Sequence, residues 1–252
     1  MKHLIFAALT LAVTLVTAVP FSPPAQAQDK KPVVVELFTS QGCYSCPPAE
    51  AFLGELADRA DVVALEFHVD YWDSLNYMWH GQWKDPFSAP EHTQRQRLYN
   101  VAIRGQSGVY TPQMVVDGRF ETVGSHRGKV NDIMDRAAKT VGKLTVAVTA
   151  QGGRLQASVS EGADGVADIV LVRFQDRAET VVQKGENHGK VLVSRHIVRE
   201  ARKLGTWRGA QTALDLPADA AGGDGMGCAV LVQTPNHGPV LGAALCPKGP
   251  SS

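Results

Sequence analysis

Two cysteines separated by two residues are the side chains in this sequence best suited to chemistry. Cys43 and Cys46 follow an apolar segment and precede a segment with helical periodicity. The thiolate is the reactive form of cysteine, and the N-terminus of a helix stabilises its negative charge. The first cysteine can attack a disulfide, and the second, one helical turn later, can resolve the mixed disulfide. The spacing therefore predicts a redox pair in which Cys43 attacks and Cys46 resolves.

Other functions also use a C-x-x-C pair. Structural zinc usually takes a second pair of ligands, and Cys228 and Cys246 are too far apart in the sequence to resemble one. The position between a strand and a helix favours redox chemistry. Two alternatives stay open. In one, Cys43, Cys46 and His68 hold a thiophilic ion such as Cu(I); in the other, a non-catalytic interaction module uses its cysteines only to stabilise the fold.

The segments around the pair alternate between strands and helices. Runs of β-branched and apolar residues predict strands, and apolar residues that recur on one face predict helices. The first strand, helix and second strand form a βαβ unit, which is right-handed and pairs its strands in parallel. The predicted elements are strands at 33–38, 62–69, 113–116 and 119–123, and helices at 49–59, 91–104 and 129–139.

Thr111 and Pro112 stand directly before the strand at 113–116. Thioredoxin-like folds place a cis-proline at this point, beside the redox pair. We therefore predict a cis bond, although only about 5% of X-Pro bonds in folded proteins are cis. The alternative is a trans proline on an edge strand. A cis bond would expose the neighbouring backbone, so that an extended substrate segment can pair with it.

Four segments together resemble an exported family known as domain of unknown function 1223. They are ELFTSQGCYSCPP at 36–48, HVDYWD at 68–73, YTPQ at 110–113 and GENHG at 185–189. The resemblance implies a thioredoxin-like half followed by a β-rich half, and it implies no substrate. The Tyr-Ser centre of the C-x-x-C differs from the Gly-Pro typical of thioredoxin, so the redox direction stays open. The turn at 185–189 is a candidate interface with the redox half; the alternative is a structural turn.

Two ionisable residues are candidate modulators of the pair. His68 ends the second predicted strand, at the edge where open parallel sheets bind ligands, and can adjust the Cys43 thiolate. The alternative is a hydrogen-bonded structural histidine. Glu36 lies inside an apolar strand before Cys43, where a buried carboxylate can accept protons. The alternative is a charge at the edge of the sheet.

From residue 142 the pattern changes to short alternating strands. Their turn signals suggest a β-sandwich. Cys228 and Cys246 flank a strand, turn and strand, so a hairpin would bring them together as a structural disulfide. The sequence thus predicts an α/β thioredoxin-like domain followed by an all-β, sandwich-like domain. The predicted strands lie at 144–148, 155–159, 169–174, 190–198, 228–233 and 240–245.

Residues 1–27 predict a secretory signal peptide. Lys2 and His3 precede an apolar run at 4–19, and Ala25, Gln26 and Ala27 form a small-x-small cleavage site. An uncleaved anchor is the alternative, but the run is short for a bilayer-spanning helix of about 20 residues. We expect a periplasmic or secreted protein with no stable membrane insertion after cleavage.

Cleavage after residue 27 leaves two predicted domains. The thioredoxin-like domain spans 28–141 and carries a helical and aromatic insertion at about 71–104, and the β-rich domain spans 142–252. The chain has 25 basic and 25 acidic residues, so it has no general electrostatic attraction for nucleic acid. We expect a thiol-disulfide oxidoreductase without a cofactor, whose partners are protein thiols or disulfides and an unidentified redox partner.

Overall fold

A computed structural model describes residues 31–247 except 78–80, 141, 164 and 221. The predicted signal peptide lies outside the described residues, and so does Trp79 of the aromatic insertion. Among the described residues, no helix is long and apolar enough to cross a membrane.

Strands contain 41% of the described residues and helices 18%. The helices are α1 (Pro47–Ala57), α2 (Pro90–Arg104) and α3 (Arg127–Ala138). The strands are β1 (Val33–Thr39), β2 (Val62–His68), β3 (Asn76–Tyr77), β4 (Gly81–Gln82), β5 (Gln113–Val116), β6 (Phe120–Val123), β7 (Val146–Gln151), β8 (Arg154–Val159), β9 (Ala167–Val181), β10 (Val191–Trp207), β11 (Thr212–Asp215), β12 (Met226–Gln233) and β13 (Val240–Leu245).

Eight strands from both halves of the chain form one mixed sheet. Their order is β13-β12-β9-β10-β2-β1-β5-β6. β1 pairs with β2 in parallel and with β5 antiparallel, and β10 joins the other edge of β2 in parallel at Ile197 and Glu66. The prediction of an α/β thioredoxin-like domain followed by a separate all-β, sandwich-like domain is therefore wrong.

The reason for this difference lies in the edge of β2. All seven of its residues are buried, and a buried strand edge needs partners for its backbone N–H and C=O groups. β10 pairs with this edge at Glu66, although it lies more than 100 residues later in the sequence. Alternation predicts strands but not their partners. The proposed domain boundary falls at residue 141, outside the described residues, and stays a prediction.

Both faces of β1 are covered, which explains its continuous apolar run. Val34 and Phe38 pack with Tyr99 of α2 on one face. Val35 packs with Leu53 of α1 on the other face, in a cluster that α3 completes. The strand that leads into the redox pair is therefore held rigidly in the core.

Local sequence explains how the helices begin and end. α1 begins at Pro47, two residues before the predicted start, because proline fits the first turn of a helix without losing a hydrogen bond. α2 begins with Pro90 and ends at Arg104. Gly105 caps it with a φ of +70°, the left-handed conformation that glycine adopts most easily.

The rest of the second half forms a three-stranded sheet, β11-β8-β7. It packs on β9 and β12 around Trp207, Ile169 and Val230. β9 and β10 have 15 and 17 residues and extend well beyond the predicted strands at 169–174 and 190–198. Apart from buried Ala167 and Trp207, the extra length is largely polar and half-buried or exposed, so an apolar criterion missed it.

Candidate redox site

Cys43 and Cys46 form a disulfide between the end of β1 and the start of α1. Their Cα atoms are 5.5 Å apart. The N–H of Cys46 donates to the carbonyl of Cys43 at 3.2 Å, and Cys46 is the N-cap residue of α1. Because the first amides of a helix have no partner within the helix, a thiolate formed here is stabilised by them.

Both cysteines are covered in this disulfide form. Cys43 and Cys46 are 0% exposed, whereas Tyr44 between them is 67% exposed. The hydroxyl of Ser45 lies 3.3 Å from the sulfur of Cys43. An external thiol can therefore reach either sulfur only after a neighbouring segment moves.

The bond between Thr111 and Pro112 is cis, as the sequence predicted. It immediately precedes β5, whose first residue, Gln113, lies opposite Phe38 near the end of β1. The start of β5 is therefore close to residues 40–46, which we call the redox loop.

The indole N–H of Trp72 donates to Oγ1 of Thr111 at 2.8 Å. Trp72 also faces Gly42, where an added Cβ would lie 3.4 Å from the Cβ of Trp72. Trp72 therefore connects the cis-proline segment to the redox loop.

Four buried ionisable side chains adjoin the redox loop: Glu50, Glu66, His68 and Asp85. His68 lies between two carboxylates, with Nε2 3.0 Å from Glu66 Oε1 and Nδ1 2.7 Å from Asp85 Oδ2. Asp85 Oδ2 also accepts the N–H of Gln41 at 2.8 Å. Asp85 thus connects His68 to the backbone of the redox loop.

Burial sets the charge of Glu50. It raises the pKa of this carboxyl to about 8, and the charge of Glu66 adds to the rise. Glu50 Oε1 accepts a hydrogen bond from Oγ1 of Thr39 at 2.6 Å. Near neutral pH, Glu50 is therefore mainly protonated and close to its titration point.

His68 and Asp85 form a charged pair. Burial lowers the pKa of His68, but the charges and hydrogen bonds of Asp85 and Glu66 outweigh burial and raise it well above its ordinary value. Burial raises the pKa of Asp85, but the charge and hydrogen bond of His68 outweigh burial and lower it. The histidine is therefore an imidazolium held between two carboxylates.

Sequence reasoning missed Glu50, Glu66 and Asp85. For Glu50 and Glu66, spacing in the sequence could have indicated a place near the site. Glu50 follows Cys46 by four residues, one turn of a helix, and Glu66 precedes His68 by two residues, on one face of a strand. Asp85 lies in an irregular segment, where no periodicity relates it to the pair.

Glu36 lies on the other face of β1, toward α2. Arg95 donates to its carboxylate from Nε at 2.6 Å and from Nη2 at 2.9 Å, and the hydroxyl of Tyr99 donates to it at 2.6 Å. Glu36 is buried but belongs to a network that fixes α2 on the sheet. The structure does not bring it together with the cysteines.

The turn between β9 and β10, residues 185–189, meets the redox loop through Asn187. This side chain is fully buried. Its Nδ2 donates to the carbonyls of Gln41 and Cys43, each at 2.9 Å. The turn from the second half of the chain is thus an interface with the redox loop.

Glu186 of the same turn makes a second contact. Its Oε2 accepts the N–H of Tyr44 at 2.9 Å. This places a carboxylate on the residue that directly follows Cys43. The two side chains of the turn thus bind the backbone of Gln41, Cys43 and Tyr44.

The described residues contain no group of three or more His, Cys, Asp or Glu side chains arranged to hold a metal ion. His68 is engaged by Glu66 and Asp85. Within the described part of the chain, the arrangement therefore gives the copper alternative no support.

Residues 34–233 match the model of a family described as protein of unknown function (DUF1223). The chain belongs to this family.

Two solved structures are similar to this DUF1223 protein. A crystal structure of a protein from Agrobacterium tumefaciens is 32% identical, with a TM-score of 0.75, and the match covers 90% of this chain and 98% of that one. HBP35 of Porphyromonas gingivalis is 15% identical, with a TM-score of 0.54 and coverage of 90% and 80%, and shares the fold alone. A search of curated proteins gave no match.

The DUF1223 protein has a second disulfide, between Cys228 and Cys246, whose Cα atoms are 5.2 Å apart. The N–H of Cys246 donates to the carbonyl of Cys228 at 2.7 Å. The bond joins the start of β12 to the end of β13, as the hairpin prediction requires. It packs in the core of the three-stranded sheet, and the structure does not bring it to Cys43.

Proposed function

We propose that this DUF1223 protein is an exported thiol-disulfide oxidoreductase that acts on protein thiols or disulfides through Cys43 and Cys46. The observation that carries the proposal is the position of this disulfide at the start of α1, one turn before the buried carboxyl of Glu50. A helix start favours a thiolate, and a carboxyl that titrates near pH 8 can exchange protons under neutral conditions.

The redox cycle has two exchange steps. In the reducing direction, the Cys43 thiolate attacks a substrate disulfide, a mixed disulfide forms and one substrate sulfur leaves as a thiolate. The Cys46 thiolate then attacks the sulfur of Cys43 and releases the second substrate sulfur. The substrate gains two electrons, which the pair loses on forming its own disulfide. The oxidising direction runs the same steps in reverse.

Glu50 moves the proton of Cys46. When Cys46 attacks, its thiol must lose a proton, and the ionised form of Glu50 accepts it. When the disulfide is reduced, Cys46 leaves as a thiolate, and protonated Glu50 returns the proton. Both forms are available near neutral pH because the pKa of Glu50 is about 8.

Substrate binding is assigned to the segment at Thr111 and Pro112. The carbonyl of Pro112 already accepts the N–H of Gly124 at 2.9 Å. The backbone of Thr111 is therefore the part that would pair with an extended substrate. Trp72, which donates to the side chain of Thr111, would border this segment.

Export is supported by the basic, apolar and small-residue order of residues 1–27. An oxidising compartment also suits a protein whose four cysteines form two disulfides.

The test compares wild type with Cys43→Ser and Cys46→Ser in insulin reduction and in refolding of a scrambled protein. We expect activity in wild type and loss of it in both variants. Cys46→Ser should trap a substrate on Cys43 as a mixed disulfide that mass spectrometry detects. Inactivity of wild type in both assays, with no trapped complex, would overturn the proposal.

A structural disulfide is the second candidate, because both cysteines are fully buried. A reduction potential far below about −300 mV is typical of structural disulfides. Equilibration with thiol buffers of known potential therefore separates the two candidates.

A further inference from the structure

We propose that the turn at residues 185–189 is a clasp that holds the redox loop closed in the disulfide state and releases it on reduction, with Glu186 and Asn187 as its positioning residues. The inference rests on the proposed function, since it concerns how the same pair becomes accessible. The turn lies 142 residues from Tyr44 in the sequence, and only the fold brings them together.

A closed state follows from burial. Thiol-disulfide exchange requires a thiolate to approach one of the sulfurs, so its rate depends on access. Cys43 and Cys46 are both 0% exposed. The disulfide state therefore has to open at one of the segments that cover it before any partner reacts.

Asn187 is the anchor of the clasp. A side-chain amide has two donor hydrogens and one acceptor oxygen. Here Nδ2 donates to the carbonyls of Gln41 and Cys43, and Oδ1 accepts from Nζ of Lys190 at 2.8 Å. Every polar atom of this buried side chain has a partner, so the closed position is well defined.

The hairpin that carries the clasp runs along α1. Arg195 on β10 donates to Asp58 at the end of α1 at 2.9 Å, while Glu186 bonds to Tyr44 just before the start of the helix. Gly185 and Gly189 have φ values of +77° and +79°, which glycine adopts without strain. The turn is thus the compact end of the β9–β10 hairpin, which Arg195 already anchors to the end of α1.

Charge gives the clasp its redox response. In the disulfide state, Glu186 accepts the N–H of Tyr44 with no anion on Cys43. Reduction by a dithiol breaks the bond between the two sulfurs. The dithiol becomes a disulfide, and the pair receives two electrons and two protons. Ionisation of Cys43 then places a thiolate on the residue before Tyr44, whose N–H binds the Glu186 carboxylate, and the two negative charges repel. The contact is therefore weaker after reduction.

Linkage makes the effect reciprocal. If reduction weakens the clasp, a closed clasp makes the pair harder to reduce by the same factor. Glu186→Gln keeps an acceptor oxygen for Tyr44 but removes the charge. In this variant, the equilibrium between the disulfide and the dithiol of Cys43 and Cys46 should lie further toward the dithiol than in wild type.

The test uses the full-length mature protein with Glu186→Gln, Asn187→Ala and the control Glu161→Gln. Glu161 is an exposed carboxylate between β8 and β9. Hydrogen exchange read by mass spectrometry compares residues 182–190 before and after reduction with dithiothreitol. We expect wild type and Glu161→Gln to lose protection about tenfold on reduction, and Glu186→Gln to lose less.

Two solution measurements complete the test. In a glutathione buffer, Glu186→Gln should shift the equilibrium toward the dithiol by about fivefold, the low end of typical coupling between sites. Asn187→Ala should be reduced by dithiothreitol faster than wild type. If Asn187→Ala does not fold, Glu186→Gln alone decides.

Equal protection in both redox states, together with an unchanged equilibrium in Glu186→Gln, would overturn the clasp. These readouts need no protein substrate, so they fail independently of the proposed function. Turnover of insulin with an unresponsive turn would refute the clasp alone. A responsive turn in a protein without turnover would refute the proposed oxidoreductase alone.

Discussion

The N–H of Glu50 donates to the carbonyl of Cys46 across 3.2 Å. Glu50, whose carboxyl is buried, therefore lies one helical turn after the proposed resolving cysteine. Thr39 fixes that carboxyl from β1. Strand and helix thus set the distance between a proton-exchanging group and the redox pair, and the backbone that forms α1 positions both.

Replacing Glu50 tests this relationship. Glu50→Gln keeps the shape but removes the proton acceptor, so resolution of a mixed disulfide should slow by about a hundredfold at pH 7, the low end for general acid-base catalysis. Stopped-flow fluorescence of the reduced protein with a protein disulfide measures this step. Glu55→Gln is the matched control, because Glu55 lies on the same helix but is exposed and pairs with Arg127. Equal slowing in both variants would contradict a special role for Glu50.

The contribution of Glu50 to the stability of the oxidised protein should fall as the pH rises from about 4.5 to about 8, whereas His92 and His237, whose pKa burial lowers to about 4, act in the opposite direction below pH 6.5. The pKa of Glu50 is 4.5 when unfolded and about 8 when folded, so the native state binds more protons across this window. Each pH unit then removes at most about 1.4 kcal/mol of the unfolding free energy. His68 acts in the same direction. Its contribution is complete below its unfolded value of 6.5 and declines as the pH rises through the raised folded pKa.

Urea unfolding at a series of pH values measures this slope, with both disulfides intact. Glu50→Gln should remove the contribution of Glu50 to this slope, whereas Glu55→Gln should leave the slope almost unchanged. If wild type and Glu50→Gln had the same slope between pH 4.5 and 8, the pKa of Glu50 would not be raised in the folded state.

The network around Glu36 should affect stability but not redox chemistry. Arg95→Met leaves the buried carboxylate of Glu36 without its ion pair, which should cost about 3–5 kcal/mol of unfolding free energy. Adding Glu36→Gln should recover part of this loss. Arg97→Met, an exposed arginine on the same helix, should change stability by less than about 0.5 kcal/mol. Urea unfolding measures all three. In glutathione buffer, the redox equilibrium of Cys43 and Cys46 should be the same in these variants as in wild type. A change would show that the Glu36 network on one face of β1 affects the redox pair.

The second disulfide should be purely structural. Removing it with the double substitution Cys228→Ala and Cys246→Ala opens a loop of 18 residues, which should cost about 3 kcal/mol on the chain-entropy model. Thermal unfolding checks this value. The glutathione equilibrium of Cys43 and Cys46 should stay the same; a shift in it would indicate exchange between the two disulfides.

Sequence patterns predicted the features that depend on neighbouring residues. The bounds of β5 and β13 agree with those predicted, and the bond before Pro112 is cis. The cysteines pair as their spacing suggested. In each case the relevant partners lie within one turn, one strand or one hairpin, where local geometry leaves few options.

Sequence patterns failed where distant segments decide. Glu36, a carboxylate in an apolar strand, was a candidate modulator of the redox pair. In the structure it binds Arg95 and Tyr99 of α2, on the face of β1 opposite α1. We propose Glu50 for the role considered for Glu36, and its burial became visible only with β1 and β2 packed against α1. A strand alternates its faces regularly, but the sequence alone does not say which face meets which helix.

By itself, the sequence determined the reactive groups and their local positions: two cysteines at the start of a helix, a proline before a strand and a second cysteine pair at the ends of a hairpin. Only the tertiary structure decided that one sheet unites both halves of the chain, because β10 completes the buried edge of β2. That pairing carries Glu186 and Asn187 to the redox loop. Local propensities act over a few residues, whereas the need to cover apolar faces and pair buried backbone groups acts across the whole chain.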